Sequence, residues 1–278
     1  MDKAGVEKGR LHHWKVRKGS DGVWRLHGDQ RTLDIEFFPA ATKNYAAGQA
    51  CFTSTFIFAI QNHNKSNDGG AIAYLLITGP GLPSAGLRYE EPALGGRFVL
   101  AGAQSGNNYH VASNCAWATA ALTDTAIAAI PDDAVYTVSA FDRANGKITF
   151  PSGSSDGSYQ VKIQRRPMTL AEAVASQAYP LVSAETLGAL NALNSAQGGT
   201  LTVTASNLYA LSDAYVHLWR DANNGTQLDR LERTVAPTPA GTISSSLVTS
   251  ANSAAASSYL LIEGKDAYRR SMQALYKR

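Results

Sequence analysis

Gly79, Gly81 and Gly86, within ITGPGLPSAG, are the first residues whose type and spacing could do chemistry. A dinucleotide fingerprint rests phosphates on backbone N–H groups where a G-x-G-x-x-G turn opens a helix. Here the third glycine comes two positions late, Pro80 and Pro83 lack the N–H a phosphate needs, and LRYEEP follows instead of a helical pattern. No Lys-Ser or Lys-Thr pair follows, which excludes a Walker loop. The stretch reads as a rigid turn between strands. Ser155 occupies the nucleophile position of a G-x-S-x-G match in GSSDG, but that elbow works only where a strand meets a helix. Between KITF and SYQVKIQ the motif reads instead as a hairpin tip.

The histidines, His12, His13, His27, His63, His110 and His217, form no H-x-x-x-H or H-E-x-x-H pattern, and no Cys or carboxylate stands at zinc spacing from another ligand. Asp124, Asp132 and Asp133 lack the alternating acids of a calcium loop and read as turn-capping residues. No metal and no cofactor is implied. What remains is two amide-rich stretches. NHNKSNDGG supplies His63 and Asn64, and AQSGNNYHVASNCAW supplies Asn107, Asn108, Tyr109, His110 and Trp117. Sugar-binding β-sandwiches combine such polar groups with a flat ring, because the apolar face of a sugar stacks while its hydroxyls need directional partners. The competing reading is that Gly and Asn serve the turns any sandwich needs, and that Trp117, two residues after a cysteine, belongs to the core.

The elements that must position these residues are mainly strands. Only 17% of the 278 residues are charged, against roughly 25% in an average soluble protein, as suits a β-rich exported chain. A net charge of +3 is too small to drive nucleic-acid or membrane binding by field alone. Basic clusters at Lys8, Arg10, Lys15, Arg17 and Lys18, and at Lys265, Arg269, Arg270, Lys277 and Arg278, read as protection of edge strands. No apolar run is long enough for a transmembrane helix, and the start has no signal core. The chain is therefore either cytoplasmic or a mature form whose export signal was removed and replaced by a methionine. Cys51 and Cys115 could pair, which fits an oxidising compartment, or stand as two unrelated buried thiols. Phe52, Phe56, Phe58 and Ile60 share one strand face, so Cys51 points the other way, and a bridge from it would fasten a sheet margin or second layer.

RLHHWKVRKGSDGVWRLHG predicts a hairpin with Trp14 and Val16 facing Trp24 and Leu26, and TLDIEFF alternates as a half-buried antiparallel strand should. Further strand-like runs follow without a long helical period, up to Pro167. From there an Ala- and Leu-rich stretch predicts two short helices, starting near Thr169, with Glu172 three residues on, and near Ser183. Six more strand-like runs follow Gly199. The expected organisation is an antiparallel β-sandwich over 10–166, a helical linker or brace over 167–198, and an immunoglobulin- or fibronectin-like β-sandwich over 199–278. No repeat of fixed period is present.

DGVWRLHGDQRTLDIEF, ITGPGLPSAGL and IPDDAVYTVSAFD resemble stretches of uncharacterised bacterial exported proteins, often lipoproteins, that carry immunoglobulin-like β domains. The resemblance covers residues 20 to 165, with a generic immunoglobulin or fibronectin type III similarity beyond. It implies an envelope or extracellular setting and transfers no activity. No Trp stands about a dozen residues after Cys51, so no antibody-type recognition follows. The function expected is non-enzymatic surface binding, adhesion or assembly, with an unknown glycan or protein as ligand. The alternatives are a carbohydrate-binding accessory module through the loops near Tyr109 and Trp117, a hydrolase using Ser155, and self-association through edge strands.

Overall fold

The computed structural model describes residues 15–18, 22–28, 33–46, 49–62, 72–91, 97–102, 106, 108–150, 155–193, 199–221, 227–250 and 257–277. His12, His13, His63, Asn64 and Asn107 lie outside them. The chain is mainly β. β1 (Lys15–Lys18) and β2 (Trp24–Gly28) form the expected antiparallel pair, with Val16 opposite Leu26. β3 (Leu33–Ala46) and β4 (Gln49–Asn62), 14 residues each, then pair along their whole length. Leu33 is buried while Asp34 and Glu36 are exposed, so the alternation seen in TLDIEFF sets which face turns inward.

β5 (Tyr74–Thr78), β6 (Leu87–Glu90) and β7 (Val99–Leu100) lead to β8 (Asn108–Ser113), which joins the outer edge of β4. After the short helix α1 (Asp124–Ala128) come β9 (Val135–Phe141), β10 (Lys147–Ile148) and β11 (Tyr159–Lys162). These complete a second sheet in the order β10-β9-β5-β6-β7, with β11 also on β9. The first core draws on both sheets: Phe56, Phe58, Ile60 and Val111 from one, Leu75, Ile77, Tyr89, Tyr136 and Val138 from the other. Phe37 stacks on Phe58 at 4.0 Å and meets Tyr136 edge-on at 4.6 Å, arrangements that aromatic quadrupoles favour.

The glycine-rich stretch is a turn joining β5 to β6, closed by Leu82 N donating to Gly79 O and Gly86 N to Pro83 O. Tyr136 Oη donates to Pro80 O at 2.8 Å, and Gly79 lies so close to the Tyr136 ring that a Cβ there would overlap it. Glycine is needed here for packing, not for phosphate. The hairpin reading of GSSDG is corrected. β10 and β11 run one after the other along the same edge of β9, both antiparallel to it, so they do not pair with each other as a hairpin. Phe150 N donates to Gly157 O, and Lys147 pairs with Asp156 at 2.9 Å.

α2 (Leu170–Ala175) begins with the capping box expected at Thr169 and Glu172, and β12 (Leu181–Val182) leads to α3 (Ala184–Leu193), where Ser183 Oγ accepts from Thr186 N. β13 (Gly199–Ser206), β14 (Ala214–Asp221), β15 (Gln227–Val235), β16 (Ile243–Thr249), β17 (Ser257–Lys265) and β18 (Ser271–Lys277) follow. β12-β13-β16 form a small sheet facing β14, β17 and β18 across a second core of Leu201, Val203, Leu247, Val216, Leu218, Leu260 and Ile262, against which α3 adds Leu190 and Leu193.

One sheet runs from one half of the chain into the other, in the order β15-β14-β17-β18-β3-β4-β8. At its middle, β18 pairs with β3 in parallel, from Ser271 opposite Ala40 to Tyr276 opposite Tyr45. This departs from the purely antiparallel organisation expected from the sequence. Short turns impose antiparallel pairing only on strands adjacent in the chain; β18 and β3 are two sheet edges brought together by tertiary packing, and their direction is free. The same seam corrects the reading of the C-terminal basic cluster. β17 and β18 are interior strands, and Lys265 and Lys277 lie over the rings of Phe38 and Tyr259 instead of guarding an edge.

Candidate functional site

β8 divides the sequence-derived candidates between two faces. Phe56 stands opposite Tyr109 and Thr55 opposite His110, before a bulge restores pairing at Ser54 and Ala112. Because neighbouring residues of a strand point oppositely, Tyr109 packs on the first core while His110 turns to the other face. Burial raises the Tyr109 pKa. The structure therefore does not bring Tyr109 to the same surface as His110 and Trp117. Asn108 is exposed at the start of the strand.

After Ser113 the chain leaves the sheet in a short loop that is tied down from three directions. Asn114 continues the ladder, its N donating to Phe52 O at 3.1 Å and its Oδ1 accepting from Phe52 N at 2.7 Å. Cys115 is bonded to Cys51 with their Cα atoms 5.1 Å apart. The returning chain is held by Ala121 N donating to His110 O and Leu122 N to Val111 O. The bridge lies on the strand face opposite Phe56 and Phe58, so it fastens the sheet margin as its parity required. With a sequence separation of 64 it stabilises by about 4 kcal/mol in the chain-entropy description.

Trp117 rides on this clamped loop. It is 63% exposed, which overturns the reading of it as a core residue. The cause is local: Cys115 and Asn114 take the anchoring positions, and the turn closed by Ala118 N on Cys115 O carries the next side chains outward. The indole and the His110 ring meet edge to face, at a centroid distance of 5.6 Å and an angle of 80°. His110 Nδ1 is buried without a hydrogen-bond partner, and desolvation lowers the pKa, so the imidazole beside Trp117 is neutral at neutral pH. The result is an uncharged aromatic ledge with most of the indole open to solvent.

A second aromatic surface is set by the alternation of AYVHLWRD. On β14, Tyr215, His217 and Trp219 share the face opposite the second core, with His217 stacked 5.4 Å from Trp219 at 9°. Arg230, Trp219, Tyr259 and Lys277 are consecutive cross-strand neighbours, forming a row across four strands. Glu232 pairs with Arg230 and approaches His217.

The acidic turn residues act as helix and ion-pair partners. Both oxygens of Asp124 accept backbone N–H groups opening α2, from Leu170 and Ala171. Asp132 accepts from Arg165 Nη1 and from Arg166 N. Arg165, Arg166, Arg270, Asp132 and Glu172 line an open groove of about 550 Å³. Arg166 grips Glu172 with two hydrogen bonds and holds its carboxyl down to about 2. Arg270 is engaged by Asp266 at 2.7 Å, so each guanidinium already has a carboxylate. Ser155 is exposed, and among the described residues no three His, Cys, Asp or Glu side chains are grouped to hold a metal ion. Among them, too, no helix is long and apolar enough to cross a membrane.

No protein-family model matches the chain, and no curated protein matches it. Among solved structures, a tetra-tandem repeat in the extending region of a large adhesion protein is similar at 13% identity with a TM-score of 0.24, covering 95% of this chain. The chain spans about half of that structure, 54% of its length.

Proposed function

We propose that this chain is a non-enzymatic, exported binding protein that holds a glycan against the exposed indole of Trp117. The observation that carries the reading is a tryptophan left 63% exposed on a loop that a disulfide, a ladder-extending asparagine and a return onto β8 all immobilise. A rigid ring loses little freedom on contact, so its apolar face is available for stacking at small entropic cost. Its neighbour His110 is neutral, which suits a sugar ring better than an ion. In this reading the strands up to about residue 166 form a sandwich that presents the ledge, the helices over 167–198 brace it, and the strands from 199 onward form a second, immunoglobulin- or fibronectin-like sandwich that sets spacing. The disulfide is compatible with an extracellular or envelope location.

The test is a glycan array probed with the whole chain, followed by titration of each hit. Trp117→Ala should weaken binding at least tenfold, which corresponds to about 1.4 kcal/mol. Trp219→Ala should leave it unchanged. A flat array, or hits indifferent to Trp117, would sink the reading.

A further inference from the structure

Thr42 and Gln273 stand opposite each other in the parallel seam between β3 and β18. Thr42 Oγ1 donates to Gln273 Oε1 at 2.8 Å. The other end of the carboxamide fixes its orientation: Nε2 donates to Ser271 Oγ at 3.1 Å and to Glu263 Oε2 at 3.2 Å, a carboxylate that only the nitrogen can serve. Thr42 is 9% exposed. The side chains of Glu263 and Lys265 are 13% and 11% exposed, with Lys265 Nζ 3.8 Å from the Glu263 carboxylate. A hydroxyl is thus held on a carbonyl oxygen, one bond from the carbon it would attack. The nitrogen that would leave already touches a carboxylate with an ammonium beside it.

We propose that Thr42 and Gln273 become joined by an intramolecular ester bond. Thr42 Oγ1 adds to Cδ of Gln273, the Cδ–N bond breaks, and the nitrogen departs as ammonia, having taken up the proton that the hydroxyl gives up. Glu263 is the group in contact with that nitrogen, and the Lys265 ammonium beside it supplies or returns a proton during the transfer. Alcohol and primary amide become ester and ammonia, with no oxidant or reductant. Escape of ammonia to solvent draws the reaction forward, and burial of Thr42 keeps water from reversing it. The reaction occurs once per molecule, so it is a maturation step and not an enzymatic activity. The product spans 231 residues of sequence and locks the parallel seam, where a load passing between the two halves of the shared sheet would otherwise be borne by hydrogen bonds. The inference does not depend on Trp117 or on any ligand.

The test is the intact mass of the whole folded chain after incubation at neutral pH and reduction of its disulfide. The expected mass is about 17 Da below that of the sequence, the mass of one ammonia. Proteolysis should yield a joined pair of peptides containing Thr42 and Gln273, and hydroxylamine, which cleaves esters but not amides, should separate them. Thr42→Val and Gln273→Leu should each restore the full mass, whereas Thr42→Ser should keep the deficit. A wild-type mass equal to the sequence mass overturns the proposal without recourse to any variant. So does a hydroxylamine-resistant link, which would place the bond at Lys265 instead.

Discussion

Replacing Asp229 by alanine should destabilise the chain more than almost any other single polar substitution. Arg220 lies directly across from it in the β14–β15 pair, and the two side chains are 1% and 3% exposed, with Nη1 to Oδ2 at 2.8 Å. The other oxygen, Oδ1, accepts from Ser250 N at 3.0 Å and from Ser250 Oγ at 2.7 Å, tying β15 to the end of β16. Removing the carboxylate deprives a guanidinium that water cannot reach of an acceptor at 2.8 Å and leaves the Ser250 donors without theirs. Loss of one partner of a buried pair costs about 3–5 kcal/mol, a large part of the 5–15 kcal/mol that holds a typical domain folded. At roughly 2–4 °C per kcal/mol, the melting temperature should fall by about 10 °C. The double variant Arg220→Met with Asp229→Leu removes both charges together and should recover most of the loss, because desolvation consumes much of what the pair gains. Urea titration of wild type, Arg220→Met, Asp229→Leu and the double variant, followed through tryptophan fluorescence, closes the cycle and should return a coupling of at least 2 kcal/mol. A cost for Asp229→Ala below about 1 kcal/mol, or a double variant as unstable as the sum of the singles, would refute the burial argument.

Reduction of Cys51–Cys115 should cost about 4 kcal/mol, read as a lower urea midpoint, and should quench the fixed signal of Trp117 before global unfolding. Glu172 is depressed below the ordinary carboxyl range, so its contribution is complete above its unfolded value of about 4.3 and is lost as pH falls through about 2; Glu172→Gln should flatten this part of a stability–pH curve. His110 is lowered by burial, so the unfolded chain binds its proton more readily. Stability should therefore fall as pH drops below the unfolded value of about 6.5, and His110→Phe should abolish that slope.

The strands were legible wherever one face met a core and the other met water. Leu33, Ile35 and Phe37 against Asp34 and Glu36 show the pattern, and so does the helix start at Thr169 with Glu172. Gly79 and Pro80 could be separated from a phosphate loop by missing donors alone. The parallel seam could not be read, because neither β3 nor β18 carries a mark of the strand that will lie beside it; that choice is made by the edges left over once hairpins have formed. The exposure of Trp117 was equally hidden, since its proximity to a cysteine suggests a core and only the loop's anchoring shows otherwise. Tyr215, His217 and Trp219 were within reach, as alternation alone places all three on one face.

The seam between β3 and β18 also sets an order of events at the ribosome. Residues 40–45 are made early, but the strand that satisfies their backbone groups is translated some 231 positions later, roughly 10–50 s at ordinary elongation rates. During that interval β3 offers an open hydrogen-bonding row to any extended segment nearby. The nascent chain must therefore be shielded or kept apart from its neighbours, and refolding from denaturant should be slow and sensitive to protein concentration.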